Sequence, residues 1–80
     1  MSEKTYEKVA ITTDYITLGQ LLKFKNVISS GSEAKIFVHS HSIKVNDNLT
    51  QERGKKLYPE FKIEIDDSMF FEITKWQLIL

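Results

Sequence analysis

The chain lacks cysteine, so neither a disulfide nor a thiolate metal site can form. A secreted domain of 80 residues usually needs such cross-links, and their absence favours a reducing cytoplasm. Long apolar runs are also missing, since no segment approaches the roughly 18 residues of a membrane span. The N-terminal stretch is charged and has no apolar leader core. We therefore expect a cytoplasmic protein that is neither exported nor inserted into a membrane.

Neither sign of charge is in excess, because 11 basic and 11 acidic residues give a net charge of zero. Domains that bind nucleic acids usually carry a positive excess, so the total alone argues against that class. The distribution points the other way: residues 18–62 hold eight basic and four acidic residues, and both flanks are mildly acidic. Such segregation is typical of a one-sided basic surface. Chance scatter of solvated charge is the alternative.

The chain has no internal repeat, low-complexity tract or linker, so no domain boundary is placed within it. A chain of 80 residues buries only about two-thirds of its unfolded surface and can support one core. Its apolar fraction of 41% and charged fraction of 28% are those of a globular protein. We expect a single domain over residues 1–80, with its core in residues 17–66.

Two short helices are predicted from capping patterns and apolar spacing. Thr17 and Gln20 match a capping box, which predicts a helix from Leu18 to Lys25 or Asn26. Its buried stripe comprises Leu18, Leu21 and Leu22.

Ser30 and Glu33 repeat the capping spacing, which predicts a second helix over 32–40 after the flexible Gly31. Ala34, Phe37 and Val38 form its buried stripe, and the small Ala34 indicates a close approach of the two helices. The pair resembles a helix-turn-helix.

Elsewhere the apolar residues alternate with polar ones, as in strands that are buried on one face. Strands are predicted over 9–13, 43–45, 61–65 and 69–75, and a short one near Leu49. In the third of these, Phe61, Ile63 and Ile65 alternate with Lys62 and Glu64. Turns are predicted at 46–48, 58–60 and 66–68, and a solvated loop at 51–56. The fold class is therefore α+β, with two helices packed on a small bent antiparallel or mixed sheet.

The tail 76–80 is unusually apolar for a chain terminus. We expect it to complete the core beside the first strand. The alternative is a docking patch, in which the tail and a sheet edge would make the protein a protein-interaction module.

Candidate catalytic and metal-binding residues are few. His39 and His41 form an isolated H-x-H pattern, which is more often a surface or helix-end pair than a metal site. Asp66 and Asp67 fit a turn better than an acid pair, because nothing supplies a nucleophile or a pocket. We expect no enzyme activity, no metal and no cofactor.

Residues 18–65 resemble the RNA-binding domain named after ribosomal protein S4, and within it the small stand-alone bacterial members called the YaaA type. Residues 17–23 resemble the first helix of that group, and residues 28–35 resemble its turn into the second helix. Val45-Asn46 and then residues 53–57 resemble its strand, turn and basic loop, in the same order and at the same spacing. Asp47 and Glu52 depart from the pattern and lower the local positive charge.

The resemblance implies a protein that binds structured RNA, such as ribosomal RNA, without catalysis. Lys23, Lys35, Arg53, Lys55 and Lys56 match basic positions of the group. The full set of predicted RNA-binding residues is Lys23, Lys25, Lys35, Lys44, Arg53, Gly54, Lys55 and Lys56. DNA is not excluded as a ligand, because phosphate attraction does not distinguish the two polymers.

The expected mechanism is neutralisation of phosphates by cations on a rigid support. Gly54 would let the backbone approach the ligand, and the N–H groups at Gly31, Ser32 and Glu33 are candidates to receive a phosphate. We expect the shape of folded RNA to be recognised rather than its bases, because no aromatic pair for base stacking is evident on the polar face. Tyr58 is the best single stacking candidate.

Overall fold

The computed structural model describes residues 4–76. The elements in chain order are β1 (Glu7–Ile11), β2 (Ile16–Thr17), α1 (Leu18–Phe24), a 3₁₀ turn (Gly31–Glu33), α2 (Ala34–Ser40), β3 (Ile43–Val45), β4 (Asn48–Leu49), β5 (Lys56–Leu57), β6 (Lys62–Ile65) and β7 (Met69–Lys75). Two helices and a mixed sheet confirm the predicted α+β class. No helix within residues 4–76 has both the length and the apolar character needed to cross a lipid bilayer.

The main sheet has five strands in the order β1-β7-β6-β3-β4. β1 runs parallel to β7, while the other neighbours are antiparallel. The predicted β6–β7 hairpin is present, and its turn residues Asp66 and Asp67 both have φ of 53°. A second, two-stranded sheet joins β2 to β5. Lys56, predicted to lie in a solvated loop, is part of β5, and the pairing was not predictable because each strand has only two residues.

The helices pack against one face of the main sheet. The leucine stripe of α1 is fully buried, and Ala34 and Val38 of α2 are buried beside it. The sheet contributes alternate residues from every long strand, as the period-two pattern predicts. These residues are Val9, Ile11, Ile43, Val45, Ile63, Ile65, Phe71 and Ile73.

Both ends of α1 are closed by local hydrogen bonds. Thr17 Oγ1 accepts from the Gln20 N–H at 3.2 Å, and Gln20 Oε1 accepts from the Thr17 N–H at 2.8 Å, so the predicted capping box is confirmed. At the other end Asn26 has φ of 60°, and its N–H donates to the Lys23 carbonyl at 3.1 Å. The Val27 N–H donates to the Leu22 carbonyl at 2.8 Å, which completes a Schellman motif.

The start of the second helix differs from the prediction. Regular α-helix begins at Ala34, after the 3₁₀ turn, and the Ser30 hydroxyl caps no backbone N–H. The Glu33 carboxylate does reach back, but it accepts from the Ser29 N–H at 3.2 Å. The capping box is replaced because the tighter 3₁₀ turn directs the Glu33 N–H to the Ser30 carbonyl.

Glu64 is buried, with 3% of its surface exposed, although its place in β6 puts it on the outer face of the sheet. Two residues that precede β1 cover it. Lys4 Nζ lies 2.8 Å from Glu64 Oε1, and the Tyr6 hydroxyl donates to Oε2 at 3.0 Å. The Tyr6 ring also packs edge-on against Phe70. Alternation predicted the face correctly, but a contact between distant parts of the chain decided the burial.

The apolar tail is described only at Trp76, and residues 77–80 lie outside the described range. The Trp76 N–H donates to the Ile11 carbonyl at 2.8 Å, so Trp76 lies beside β1. That the tail completes the core stays a prediction. The Trp76 side chain is 52% exposed.

Replacing Thr17 with Ala should lower the free energy of unfolding by about 1 kcal/mol, because the Gln20 N–H loses its acceptor. The matched control is Ser30→Ala, which should cost less than about 0.5 kcal/mol because that hydroxyl caps no backbone group. Urea denaturation measures both values. Equal losses in the two variants would contradict the assigned caps.

Tyr6→Phe should destabilise the protein by about 1.5 kcal/mol at neutral pH, because it removes a hydrogen bond to a buried carboxylate. Tyr58→Phe is the control, since the Tyr58 hydroxyl makes no hydrogen bond within residues 4–76.

In acid, the Tyr6→Phe variant and the unmodified protein should have the same free energy of unfolding. The hydrogen bond from Lys4 lowers the pKa of the Glu64 carboxyl below its ordinary value of 4.5. The carboxylate therefore stabilises the fold above pH 4.5, and this stabilisation is lost as the pH falls through the lower pKa of the folded state. Urea denaturation over a pH series measures it, and a difference that persisted in strong acid would refute the role given to Glu64.

Candidate nucleic-acid interface

The loop that carries Arg53, Lys55 and Lys56 is held against the start of α1 by its backbone. The Gly19 N–H donates to the Arg53 carbonyl at 2.8 Å, and the Leu18 N–H donates to the Lys55 carbonyl at 2.9 Å. The first N–H groups of a helix have no acceptor within the helix, so they are free to donate to the carbonyls of this loop. Its carbonyls point inward while its charged side chains stay exposed.

Gly19 marks the point where α1, α2 and the basic loop meet. A Cβ atom at Gly19 would lie 3.4 Å from the Arg53 carbonyl oxygen and 3.5 Å from Ala34 Cβ. Lys35 follows Ala34, and Lys23 lies one turn after Gly19 on the same face of α1. Gly19, Ala34 and Arg53 therefore meet at one junction, and Lys23 and Lys35 lie next to it along their helices.

We define the basic patch as Lys23, Lys35, Arg53, Lys55 and Lys56. All five side chains are exposed. The ion pairs among residues 4–76 use Lys4, Lys8, Lys25, His41 and Lys75 as their cations, and no member of the basic patch takes part in them. The patch therefore keeps its positive charge available for a ligand.

Gly54 lies within the same loop and is exposed. A Cβ atom there would meet no atom within 4 Å, so nothing in the protein obstructs approach to its backbone. The loop also contains Glu52, which is the only acidic residue in the sequence between Asp47 and Arg53.

Lys25 and Lys44, also predicted to bind RNA, are less exposed than the residues of the basic patch. Lys25 pairs with Glu7, and its side chain is only 24% exposed. Its ammonium lies 5.9 Å from the centre of the Phe71 ring. Lys44 is half-buried in β3, directly opposite Glu64 on the outer face of the sheet. Both cations therefore face acidic neighbours.

The start of the second helix, a candidate phosphate site, carries the negative charge of Glu33. The Glu33 carboxylate accepts from the Ser29 N–H, and hydrogen bonding from Ser29 lowers the pKa of Glu33 below its ordinary value. Glu33 therefore stays ionised at neutral pH. Its charge opposes an anion at Gly31 and Ser32.

His41 and Asp66 form a hydrogen-bonded pair. The distance from His41 Nδ1 to Asp66 Oδ2 is 2.5 Å, and Asp66 Oδ1 accepts from the Ser42 N–H at 2.9 Å. The His41 ring stacks on Phe37 with centres 4.0 Å apart. The hydrogen bond from His41 lowers the pKa of Asp66. Residues 4–76 contain no group of three or more His, Asp or Glu side chains placed to hold a metal ion.

Two exposed tyrosines, whose pairing is not predicted from the sequence, lie beside the basic patch. The ring centres of Tyr15 and Tyr58 are 5.5 Å apart, with 47° between the ring planes. Pairing of β2 with β5 brings them together, since Ile16 lies opposite Leu57. One feature of the sequence could have indicated the pair. Tyr15 immediately precedes the apolar Ile16 of β2, and Tyr58 immediately follows the apolar Leu57 of β5.

Substitutions at Gly19 should show how tightly the loop is held. Gly19→Ala should be tolerated, because its Cβ would make ordinary contacts with Arg53 and Ala34. Gly19→Leu should cost about 2 kcal/mol through overpacking and should displace the loop. Urea denaturation measures the cost, and amide exchange at Leu18 and Gly19 reports loop release. Equal stability of the two variants would contradict the close junction.

This chain is similar to known proteins over most of its length. A family profile described as the S4 domain matches residues 9–73, from β1 to β7. The chain is also 43% identical over 66 residues to the probable ribosome maturation protein RlbA of Bacillus subtilis (strain 168). That alignment covers 82% of this chain and 93% of the relative. Both matches agree with the resemblance carried by residues 18–65.

Proposed function

The chain belongs to the S4 domain family, and from this premise we propose that it binds structured RNA, in particular ribosomal RNA or its precursors, through the basic patch. We further propose that residues 1–80 act as one RNA-binding domain and that no residue has a catalytic role. Because such RNA is cytoplasmic in bacteria, the proposal implies a cytoplasmic protein.

The observation that carries the proposal is the contrast between paired and unpaired cations. Lys8 and Lys25 lie against acids, whereas within residues 4–76 all five cations of the basic patch are free of ion pairs. Cations that neutralise phosphates release condensed counterions, and this supplies most of the non-specific binding free energy. A chain of zero net charge can therefore still present a basic surface.

The rigidity of the patch supports recognition of shape. Arg53 and Lys55 have their carbonyls fixed on the helix start, so their side chains extend from a preorganised backbone. The Arg53 guanidinium can bind one phosphate with two hydrogen bonds, while Lys55 and Lys56 act as point charges. Folded RNA presents phosphates at set distances, and a rigid patch selects among those distances.

Ribosomal RNA is the proposed ligand because the relative from Bacillus subtilis is described as a ribosome maturation protein. Gly54 stays part of the proposed surface as the point of closest backbone approach. Lys25 and Lys44 are proposed to contribute only to the long-range field, because each lies beside an acidic side chain. Competition between RNA and DNA of matched length tests the choice of polymer.

Replacing Arg53, Lys55 and Lys56 together with Ala should weaken binding to a ribosomal RNA stem-loop by at least about tenfold. The logarithm of affinity should fall with log salt at a slope of about −3.5 if the five neutralised phosphates lie in a single strand, and more steeply if they lie in the duplex stem. In the variant, which keeps two of the five cations, the slope should fall to about two-fifths of that value. Fluorescence polarisation measures both, and thermal stability should change little because the charges are exposed.

The matched control replaces Lys8, Lys62 and Lys75 with Ala, which removes the same charge from other strands. This control should keep most of the affinity. An equal loss in both triple variants would show that binding follows total charge and would contradict the proposed patch. Unchanged affinity in both would favour the alternative of a protein-interaction module, for which the edge strand β1 and the exposed Phe24 and Trp76 are available.

A further inference from the structure

We propose that Tyr15 and Tyr58 form a stacking site for an unpaired RNA base next to the basic patch. The inference rests on the proposed function and adds to it a ligand class: folded RNA that offers a single-stranded nucleotide beside a helix. The rings are 37% and 42% exposed, and their centres lie 5.5 Å apart. A single exposed aromatic ring is normal at a protein surface, whereas these two rings adjoin and form one continuous aromatic surface.

The two rings are held in place by the core. Ile16 is paired with Leu57, which is fully buried, and each tyrosine is the residue next to that pair. The Thr13 hydroxyl donates to the Tyr15 carbonyl at 2.8 Å. Phe61 packs edge-on against Tyr58 with ring centres 5.7 Å apart. A ring fixed in this way loses little conformational entropy when a base stacks on it.

The position of Lys56 links the tyrosines to phosphate binding. Lys56 lies opposite Thr17 in the β2–β5 pair, and its ammonium is 5.0 Å from the centre of the Tyr15 ring. The basic patch thus begins at the aromatic site. A nucleotide whose base stacks on a tyrosine would place its phosphate within reach of Lys56 and Lys55.

The tilt between the rings favours a single base over a base pair. With 47° between their planes, the tyrosines cannot stack together on one extended flat surface. A base in a helix is already covered by its neighbours, whereas a base in a loop has free faces for an aromatic ring. Stacking on aromatic side chains tolerates any base, so the site selects unpaired nucleotides rather than a sequence.

The test compares two RNAs with equal numbers of phosphates, one a stem with an unpaired loop and the other a blunt-ended duplex. Tyr15→Ala and Tyr58→Ala should each weaken binding to the looped RNA on the order of tenfold and leave binding to the duplex unchanged. Tyr15→Phe and Tyr58→Phe should retain the preference for the loop. The salt slope should not change, because no phosphate contact is removed.

Phe24→Ala is the control, since Phe24 is an aromatic residue with 66% exposure near the edge strand β1. It should bind both RNAs as the unmodified protein does. An equal loss on both RNAs in the tyrosine variants, or no loss on the looped RNA, would overturn the stacking site. Failure of the unmodified protein to bind either RNA would instead overturn the proposed function.

Crosslinking of the unmodified protein gives a readout that does not depend on the folding of variants. A 4-thiouridine in the loop should yield adducts on the tryptic peptides 9–23 and 57–62, which contain Tyr15 and Tyr58. Adducts found only on other peptides would overturn the stacking site, even if the basic patch binds RNA as proposed.

Discussion

The hydrogen bonds from the first N–H groups of α1 to the carbonyls of the basic loop are the constraint on which the rest of the surface depends. Leu18 and Gly19 need acceptors that their own helix cannot supply, and the loop meets that need through Lys55 and Arg53. Because the carbonyls face the helix, the cations face solvent. The same contact lets β5 pair with β2 and so brings Tyr58 to Tyr15. These two backbone hydrogen bonds thus position both the basic patch and the tyrosine pair of the proposed RNA surface.

The arrangement of acids explains how a neutral chain can present a basic face. Glu64 and Glu72 each pair with a lysine on the outer face of the main sheet, and Glu7 of β1 pairs with Lys25 at the end of α1. Their ionised forms are satisfied there, and hydrogen bonds from Lys4 and Lys8 lower the pKa of Glu64 and Glu72 respectively. The basic patch keeps its charge because these acids have partners elsewhere.

Family membership and the site geometry support different parts of the conclusion. The S4 domain match spans residues 9–73 and accounts for the two helices and the sheet on which they pack. The proposed surface comes from the geometry around Gly19, where a Cβ atom would touch both Arg53 and Ala34. The tyrosine pair follows from the β2–β5 register, and it connects recognition of phosphates with recognition of an unpaired base.

Sequence alone determined the features that arise from contacts within a few residues. The capping box at Thr17, the leucine stripe of α1 and the turns at 46–48 and 66–68 follow from hydrogen bonds and side-chain directions set locally by the chain. The tertiary structure alone decided the burial of Glu64 by Lys4 and Tyr6, the pairing of Lys25 with Glu7, and the meeting of Tyr15 with Tyr58. Those contacts join residues far apart along the chain, and their geometry depends on strand order and register, which local periodicity does not encode.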